Sequence, residues 1–435
     1  MKAPHDGAGR FVNWSGEVTS QMTSWYAPTK QTDIVALVRR TFLANGRIHV
    51  VGGGHSWSDI AAPNQAGMSL DGWAGVTDQT ADTVTVRAGT RLRDLNTELA
   101  IRGLALPILG SIDHQSVAGA IATGTHGSSL SHGNLATLVQ GVRLVTGTGE
   151  VLDLDAADPR LDGVRVHLGA LGVITHLTLR VEPAFRLAET IEQVPVGKVA
   201  AEVEAIGRSA EYVKVWWLPH TSHALVYRYT RTEEATSRRP PPAAERWVDE
   251  KLVHKAVLPV LFAVDEKRPD WIPATNRAMV RTLDKPRRVG PSTLLFSTPM
   301  PIRHAETEAA VPLAKGGEAF DRLVRLIDAE RLQVNFIAEL RFVRGDSSWM
   351  SPAFGGDTVQ LGAYTALRSQ QERYFAAFWR EMRQLGARPH WGKAMDHSAD
   401  EIQQLYPSAA RFVGLRDELD PARVFANPFL DRILG

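Results

Sequence analysis

The chain has 435 residues, 44% of them hydrophobic, which is more apolar material than one core ordinarily holds, so two domains are expected. Lys plus Arg number 49 against 48 Asp plus Glu, a balance that points away from nucleic acid and anionic membrane surfaces as partners. Cysteine is absent, which excludes disulfides, zinc–thiolate sites, iron–sulfur clusters and a thiol nucleophile.

Residues 1–16 are polar and glycine-bearing, without the apolar core of a signal peptide, and no apolar run reaches bilayer-spanning length. No membrane span and a cytoplasmic location are the expectation. Residues 29–45 predict an amphipathic helix with Ile34, Leu37, Val38 and Phe42 on one face, Thr32 or Asp33 as its cap and Asn45-Gly46 as its stop. Residues 47–51 read as a strand that runs into Gly52-Gly53-Gly54-His55-Ser56-Trp57-Ser58-Asp59. A buried strand ending in glycines brings bare N–H groups close to something that approaches the main chain, typically a phosphate. The loop fits neither the nicotinamide-dinucleotide fingerprint, whose third glycine spacing fails here, nor a P-loop, since no Lys-Ser/Thr follows. On these residues alone, a tight structural turn and a ligand loop both stay open.

Residues 83–87 alternate as a strand, and a helix carrying Leu92, Leu95 and Leu99 stops at Gly103. Residues 109–129 are built from glycines, hydroxyls and small side chains, with Ile112, His114, Val117, Ile121 and His126 interleaved. Such a run fills no core by itself and suits backbone packed against a large flat ligand better than a loose linker. Residues 139–145 and 151–154 form a predicted hairpin around Thr146-Gly147-Thr148-Gly149-Glu150. Another small-residue turn, 168–175, enters a strand at 174–180, where the first domain should close.

Beyond Pro183 the character changes. Aromatic-bearing strands are expected at 213–218 and 224–229, then a polar surface excursion at 231–244 with Pro240-Pro241-Pro242. Helices are expected at 247–263, 320–330 and 370–385, the last with Tyr374, Phe375, Phe378 and Met382 toward the core, and strands at 334–342 and 358–365. No internal repeat is present.

His55, His114, His126 and His132 lack the spacing of metal ligands, so no metal is expected, and no Gly-x-Ser-x-Gly elbow occurs. Glu339 and Arg341, two apart on a strand, share a face, which suits a structural ion pair or a site. Lys393, after Trp391-Gly392, is a surface residue unless something holds it.

Taken together, Val51 to Ser56, Ser116 to Ser128, Leu168 to Thr175, Ala338-Glu339-Leu340-Arg341 and Arg388 to Lys393 resemble, in that order, the sugar-lactone and alditol oxidases of the vanillyl-alcohol-oxidase flavoprotein superfamily. The resemblance runs from Val12 to the C-terminus and is most like the gulono- and arabinono-lactone types. It implies an α+β chain with a PCMH-type FAD-binding domain of two α/β subdomains, residues 1–185 completed by 395–435. A substrate domain, 186–394, would cover the flavin with an antiparallel sheet. It implies FAD tethered through His55; the double Cys–His tether of some relatives is impossible without cysteine. It places Gly52, Gly53, Gly54, His55, Ser56 and Trp57 on the pyrophosphate side. Ser111, Ser116, Ala120, Thr123, Gly124, Thr125, His126 and Gly127 would lie along the cofactor, with Val173 and Ile174 at the adenine end.

Glu339, Arg341 and Lys393 match the catalytic cluster, and Ser111, Tyr364 and His390 the substrate side. Gly110 matches a position where a small residue admits oxygen to the flavin. The implied reaction is oxidation of a CH–OH group of a sugar-derived substrate by hydride transfer to flavin N5, with molecular oxygen or another acceptor completing the cycle. Glu339 would take a hydrogen bond from the substrate hydroxyl, while Arg341 and Lys393 fix its oxygens. The sequence departs from alditol oxidases at Gly362 and Tyr364, where those carry a histidine and a threonine. That change implies a wider or reshaped pocket. It keeps two alternatives open: a secondary-metabolite enzyme acting on a glycoside or aminocyclitol, and a flavin- or carbohydrate-binding relative without turnover.

Overall fold

A computed structural model describes residues 9–237, 258–280, 287–297 and 302–435. The proline-rich part of the expected excursion, and the first half of the helix expected at 247–263, lie outside the described residues; the described helix there is Leu258–Lys267.

Two main sheets build the first half. Ile48–Val51 and Ser24–Tyr26 pair in parallel with Ala66–Ser69 between them, so the glycine loop leaves the end of an edge strand. The helix before it spans Gln31–Leu43 and buries Ile34, Leu37 and Val38; its N-cap is Lys30, not Thr32 or Asp33, and Asn45 ends it at φ 49°. A five-stranded antiparallel sheet orders Val151–Asp155, Val139–Val145, Val173–Arg180, Thr83–Arg87 and Val76–Gln79. The expected hairpin pairs Val145 with Val151 across the 146–150 turn, where Gly149 takes φ +81°. One apolar core joins residues of 34–181 to the C-terminal stretch, including Ile402, Phe412, Phe425 and Phe429.

The second half is organised by an eight-stranded antiparallel sheet. Its order is Arg288–Pro291, Arg186–Pro195, His223–Thr232, Tyr212–Trp217, Ala338–Val343, Thr358–Thr365, Ala305–Pro312 and Arg388–Pro389. Alternation gives the sheet two different faces. Val213, Val215, Leu340, Phe342, Val359, Leu361, Ala309 and Val311 pack against the helices Val196–Gly207, Gly316–Ala329 and Arg368–Gln384. The opposite face is defined by register. Trp216 lies opposite Glu339, Glu339 opposite Gly362 and Gly362 opposite Glu308. In neighbouring rows Lys214 faces Arg341, Arg341 faces Gln360, and Tyr364 faces Glu306. This face carries charge instead of apolar groups, and it turns toward the first half.

The expected strand at 334–342 begins only at Ala338. Asn335 explains the late start: its carbonyl accepts from the Ala366 N–H and its amide donates to Asp265, so the chain there is tied to neighbours outside the ladder. Among the described residues no helix is long and apolar enough to cross a membrane.

Candidate active site

Three consecutive cavities of about 510, 520 and 660 Å³ form a groove, the first two lined by the first half alone and the third lying between the two halves. The first is lined by Val50, Gly52, Leu70, Ala88, Ser116 and Ile174 among others. The second takes Gly52, Gly53, Gly54, His55, Ser56, Gln115, Ser116 and Thr123. The third takes His55, Ser56, Trp57, Gly110, Ser111, Thr125, His126, Arg341, Tyr364, His390 and Lys393, together with Glu306 and Glu308. Gly52 and Ser116 belong to the first two, and His55, Ser56, Gln115 and Thr123 to the last two, so the groove is continuous.

The glycines of the loop are needed for close approach. A Cβ on Gly52 would collide with Ser116 Oγ, and one on Gly53 would come to 3.0 Å from His114 O. Ser116 also caps the short helix Val117–Ala122, its hydroxyl accepting from Gly119 N–H at 3.3 Å. His55 stands at the junction of the second and third cavities, its ring between Trp14 at 5.7 Å and His114 at 6.1 Å. Neither of its buried ring nitrogens has a hydrogen-bond partner. Burial, reinforced by His114, Arg91 and Lys393, pushes its pKa down to about 4. A neutral imidazole with an unengaged lone pair is what a covalent bond to an electrophilic carbon needs.

The charged face of the large sheet closes the third cavity. Arg341 donates to Ser111 Oγ at 3.0 Å and to Glu339 at 2.7 Å. Glu339 is 1% exposed and also accepts from Trp216 Nε1 at 2.7 Å and Tyr364 OH at 2.8 Å. Burial pushes this carboxyl up, but Arg341, Lys214 and the hydrogen bonds outweigh it and hold it below the ordinary range. Lys214 is buried over the Trp216 and Tyr227 rings at 4.5 and 5.1 Å. Glu339 thus sits behind Arg341 and Tyr364 instead of lining the cavity.

Ala120, Gly124, Gly127 and Val173 likewise fall outside the lining of the groove; Gly127 borders a separate cavity of about 320 Å³ with Ser111, Lys214 and Arg341. At the departure from alditol oxidases, the Tyr364 ring folds over Gly362, so close that a Cβ there would meet it at 2.7 Å. The glycine makes room for the tyrosine, and the pocket is reshaped without being widened at that point.

Two carboxylates missed in the sequence, Glu306 and Glu308, project from the strand Ala305–Pro312 into the cavity. Each is buried and meets a histidine: Glu308 meets His126 Nε2 at 2.7 Å, and Glu306 meets His304 Nε2 at 2.6 Å. Burial raises Glu308, but the charge and hydrogen bond of His126 outweigh it and bring it down to about 2. His126 Nδ1 faces Gly127 O at 2.8 Å, so both ring nitrogens are held by oxygen partners. His390 accepts from Gly392 N–H on Nδ1 at 3.0 Å, and burial brings its pKa down to about 4. The ligand atoms of His126, Glu308 and His390 lie within 4.8 Å of one another, with His126 and Glu308 bonded to each other. Lys393 contacts Glu306 and lies over the Trp57 ring at 4.2 Å. Its segment is pinned by Ala394 N–H to Glu306 O at 2.9 Å and His390 N–H to Glu308 O at 3.1 Å, which is what keeps this lysine off the surface.

Residues 177–433 match the family model described as D-arabinono-1,4-lactone oxidase, and residues 25–155 match that of an FAD binding domain. The chain belongs to the D-arabinono-1,4-lactone oxidase family. It is 32% identical to L-gulono-1,4-lactone dehydrogenase of Mycobacterium tuberculosis over 98% of this chain and 99% of that one. It is 32% identical to alditol oxidase of a Streptomyces species over 97% and 98%, and 29% identical to L-gulonolactone oxidase of Bos taurus over 98% of each. Among solved structures, cholesterol oxidase from B. sterolicum shares the fold with a TM-score of 0.80 at 18% identity, covering 98% of this chain and 97% of that one. Xylooligosaccharide oxidase from Myceliophthora thermophila does so with a TM-score of 0.71 at 13% identity, covering 96% and 93%. The lactone-oxidase-family chain is therefore an FAD-dependent oxidoreductase of CH–OH groups with the PCMH-type architecture. The groove fits that cofactor: a glycine cradle at one end, an unpartnered imidazole midway, and a cavity lined by charged side chains at the other.

Proposed function

We propose that the protein oxidises a CH–OH group of a sugar-derived lactone or polyol, such as D-arabinono- or L-gulono-1,4-lactone, with FAD tethered through His55. The observation that carries this reading is one cavity of about 660 Å³ that presents His55 on one side and Arg341 and Lys393 on the other. When bound, the flavin supplies a two-electron acceptor for the hydride. The residues of this chain do the remaining work. Arg341 and Ser111 hold a substrate oxygen, and Lys393 meets the hydroxyl that loses its proton. Glu339 keeps Arg341 and Tyr364 oriented. Glu306, Glu308 and Tyr364 shape the cavity and, with His390, offer hydrogen bonds suited to a ring bearing several hydroxyls. Molecular oxygen is the proposed acceptor, supported by a glycine, Gly110, in the lining of the third cavity. Residues 1–185 with 395–435 are taken as the FAD-binding domain and 186–394 as its cap, in keeping with the shared core of the first and last segments.

The test is an anaerobic screen of aldonolactones, polyols and glycosides read by bleaching of the flavin absorbance. Bleaching by a lactone or polyol supports the reading, bleaching by glycosides alone moves the substrate class, and none at all with flavin bound removes the activity.

A further inference from the structure

Neither ring nitrogen of His55 has a hydrogen-bond partner, so no bond at the ring edge orients the side chain. A bond to the attacking nitrogen would occupy the lone pair that the tether needs. Orientation therefore has to come from the backbone on either side of His55 and from the faces of its ring. The hairpin that precedes the first helix supplies both. Arg10–Val12 pairs antiparallel with Thr19–Gln21, and Phe11 packs with Val51, the residue before the glycine loop. Asn13 builds the turn between these strands. Its buried side-chain oxygen accepts from Gly16 N–H at 2.9 Å and Val18 N–H at 3.0 Å, which fixes the amide orientation. Nδ2 then donates to Ser15 Oγ and to Ser56 O, each at 2.9 Å. Trp14 N–H donates to Gly54 O at 2.7 Å. The carbonyls immediately before and after His55 are thus each held by a residue of this turn. The rings complete the arrangement. Trp14 stacks on His55 with 5.7 Å between centroids and 29° between planes, and His114 stacks on it at 6.1 Å and 12°. Stacked rings hold an imidazole plane without engaging its nitrogens.

We infer that Asn13 and Trp14 are positioning residues for the attachment of FAD: they fix the backbone and the ring plane of His55 so that one unengaged nitrogen meets the flavin methyl carbon. The inference rests on the tether proposed above. In the attachment, an N–C bond forms between His55 and that carbon, while one C–H bond of the methyl group and the imidazole N–H bond break. The two protons and the electron pair pass to the flavin, which is reduced and then reoxidised by molecular oxygen with release of hydrogen peroxide. Asn13 and Trp14 make and break no bond in this step; they restrict His55 to the reactive geometry. A misplacement of about 1 Å in such a geometry costs about a hundredfold in rate.

The test reads the share of flavin that stays in the acid-precipitated pellet, in protein as purified and through aerobic incubation with added FAD. Trp14→Leu removes the stacked ring and should bind FAD that acid largely releases, with attachment slowed by about tenfold to a hundredfold. Trp14→Phe keeps a ring on His55 and should attach FAD near the wild-type rate. Asn13→Ala frees Ser56 O and should slow attachment as Trp14→Leu does; should either variant not fold, the other decides. A merely structural role is separated in a His55→Ala background, where no attachment occurs. Adding Trp14→Leu there should leave the FAD dissociation constant unchanged. The inference is overturned by wild-type attachment in Trp14→Leu or Asn13→Ala, by a Trp14→Phe as slow as Trp14→Leu, or by weakened FAD binding in the His55→Ala background. A wild type whose flavin acid releases entirely removes the tether and the inference together. Bleaching of that released-type flavin by a lactone or polyol would still leave the oxidation standing.

Discussion

Glu339 is the residue whose replacement separates positioning from chemistry. Three donors converge on its carboxylate: Trp216 at 2.7 Å, Arg341 at 2.7 Å and Tyr364 at 2.8 Å. Glu339→Gln leaves an acceptor in place but removes the charge that Arg341 requires, in a pair whose side chains are 1% and 13% exposed. Removing one partner of such a pair costs about 3–5 kcal/mol, mostly because the remaining charge is left uncompensated. The urea midpoint of Glu339→Gln should fall accordingly, with anaerobic flavin reduction by substrate severely slowed because Arg341 is no longer held against Ser111. Glu339→Gln with Arg341→Met removes both charges. That double variant should recover most of the lost stability and none of the turnover, since the substrate oxygen has lost its donor. A double variant as unstable as the single one would show that the pair is not the source of the loss. Wild-type reduction rates in Glu339→Gln would remove Glu339 from the positioning role.

His55→Ala should bind FAD without a covalent bond, so that acid precipitation releases yellow colour that the wild type retains in the pellet; release from the wild type refutes the tether. Gly110→Ala should fold, since the added Cβ would lie 3.2 Å from Thr125 Cγ2 and 3.3 Å from His126 O, distances a small shift relieves. Reoxidation of its reduced form by oxygen should slow by about tenfold or more, about 1.4 kcal/mol on the barrier, while reduction by substrate stays near the wild-type rate. Gly362→Ala should drive the Tyr364 ring off Glu339 at a cost of about 1–3 kcal/mol and raise KM for substrate, measured by thermal unfolding and steady-state kinetics. Glu308 is held at about 2, well below the unfolded carboxyl, so its contribution to stability is present at neutral pH and is lost as pH falls from the unfolded value toward about 2. Glu308→Gln should be less stable than the wild type at neutral pH, with the gap narrowing in acid denaturation followed by fluorescence.

The elements that read correctly from sequence have strong local signals. The helix Gln31–Leu43 has an apolar stripe and an Asn-Gly stop, and the 146–150 turn has glycines where the hairpin needs them. The first helix starts at Lys30, which makes no side-chain cap bond, and the late strand start is set by distant partners, Asn335 bonding to Ala366 and Asp265. Neither partner can be identified from local pattern, since both lie far along the chain.

The candidate site was legible in part, and the same period-2 signal explains both the success and the miss. Glu339-x-Arg341 stood out because one carboxylate and one guanidinium on a strand face suggest a pair. Glu306-x-Glu308 has the same spacing, but two like charges on a strand read as a solvated edge, and only register shows otherwise. The strand bearing them lies between Thr358–Thr365 and Arg388–Pro389, which puts Glu306 opposite Tyr364 and Glu308 opposite Gly362 on the face turned to the groove. Their histidines come from elsewhere: His126 from the small-residue run, 182 positions away, and His304 from just before the strand. His126 was assigned to the cofactor from its motif, and its bond to Glu308 depends on a sheet that no local pattern predicts. A charged sheet face is stable only when its charges are met, and here Glu308 is met by His126 and Glu339 by Arg341, both of which line the groove. Stability and function therefore share the same side chains, and a double variant that removes a pair together, such as Glu339 with Arg341, can keep the fold while losing the reaction.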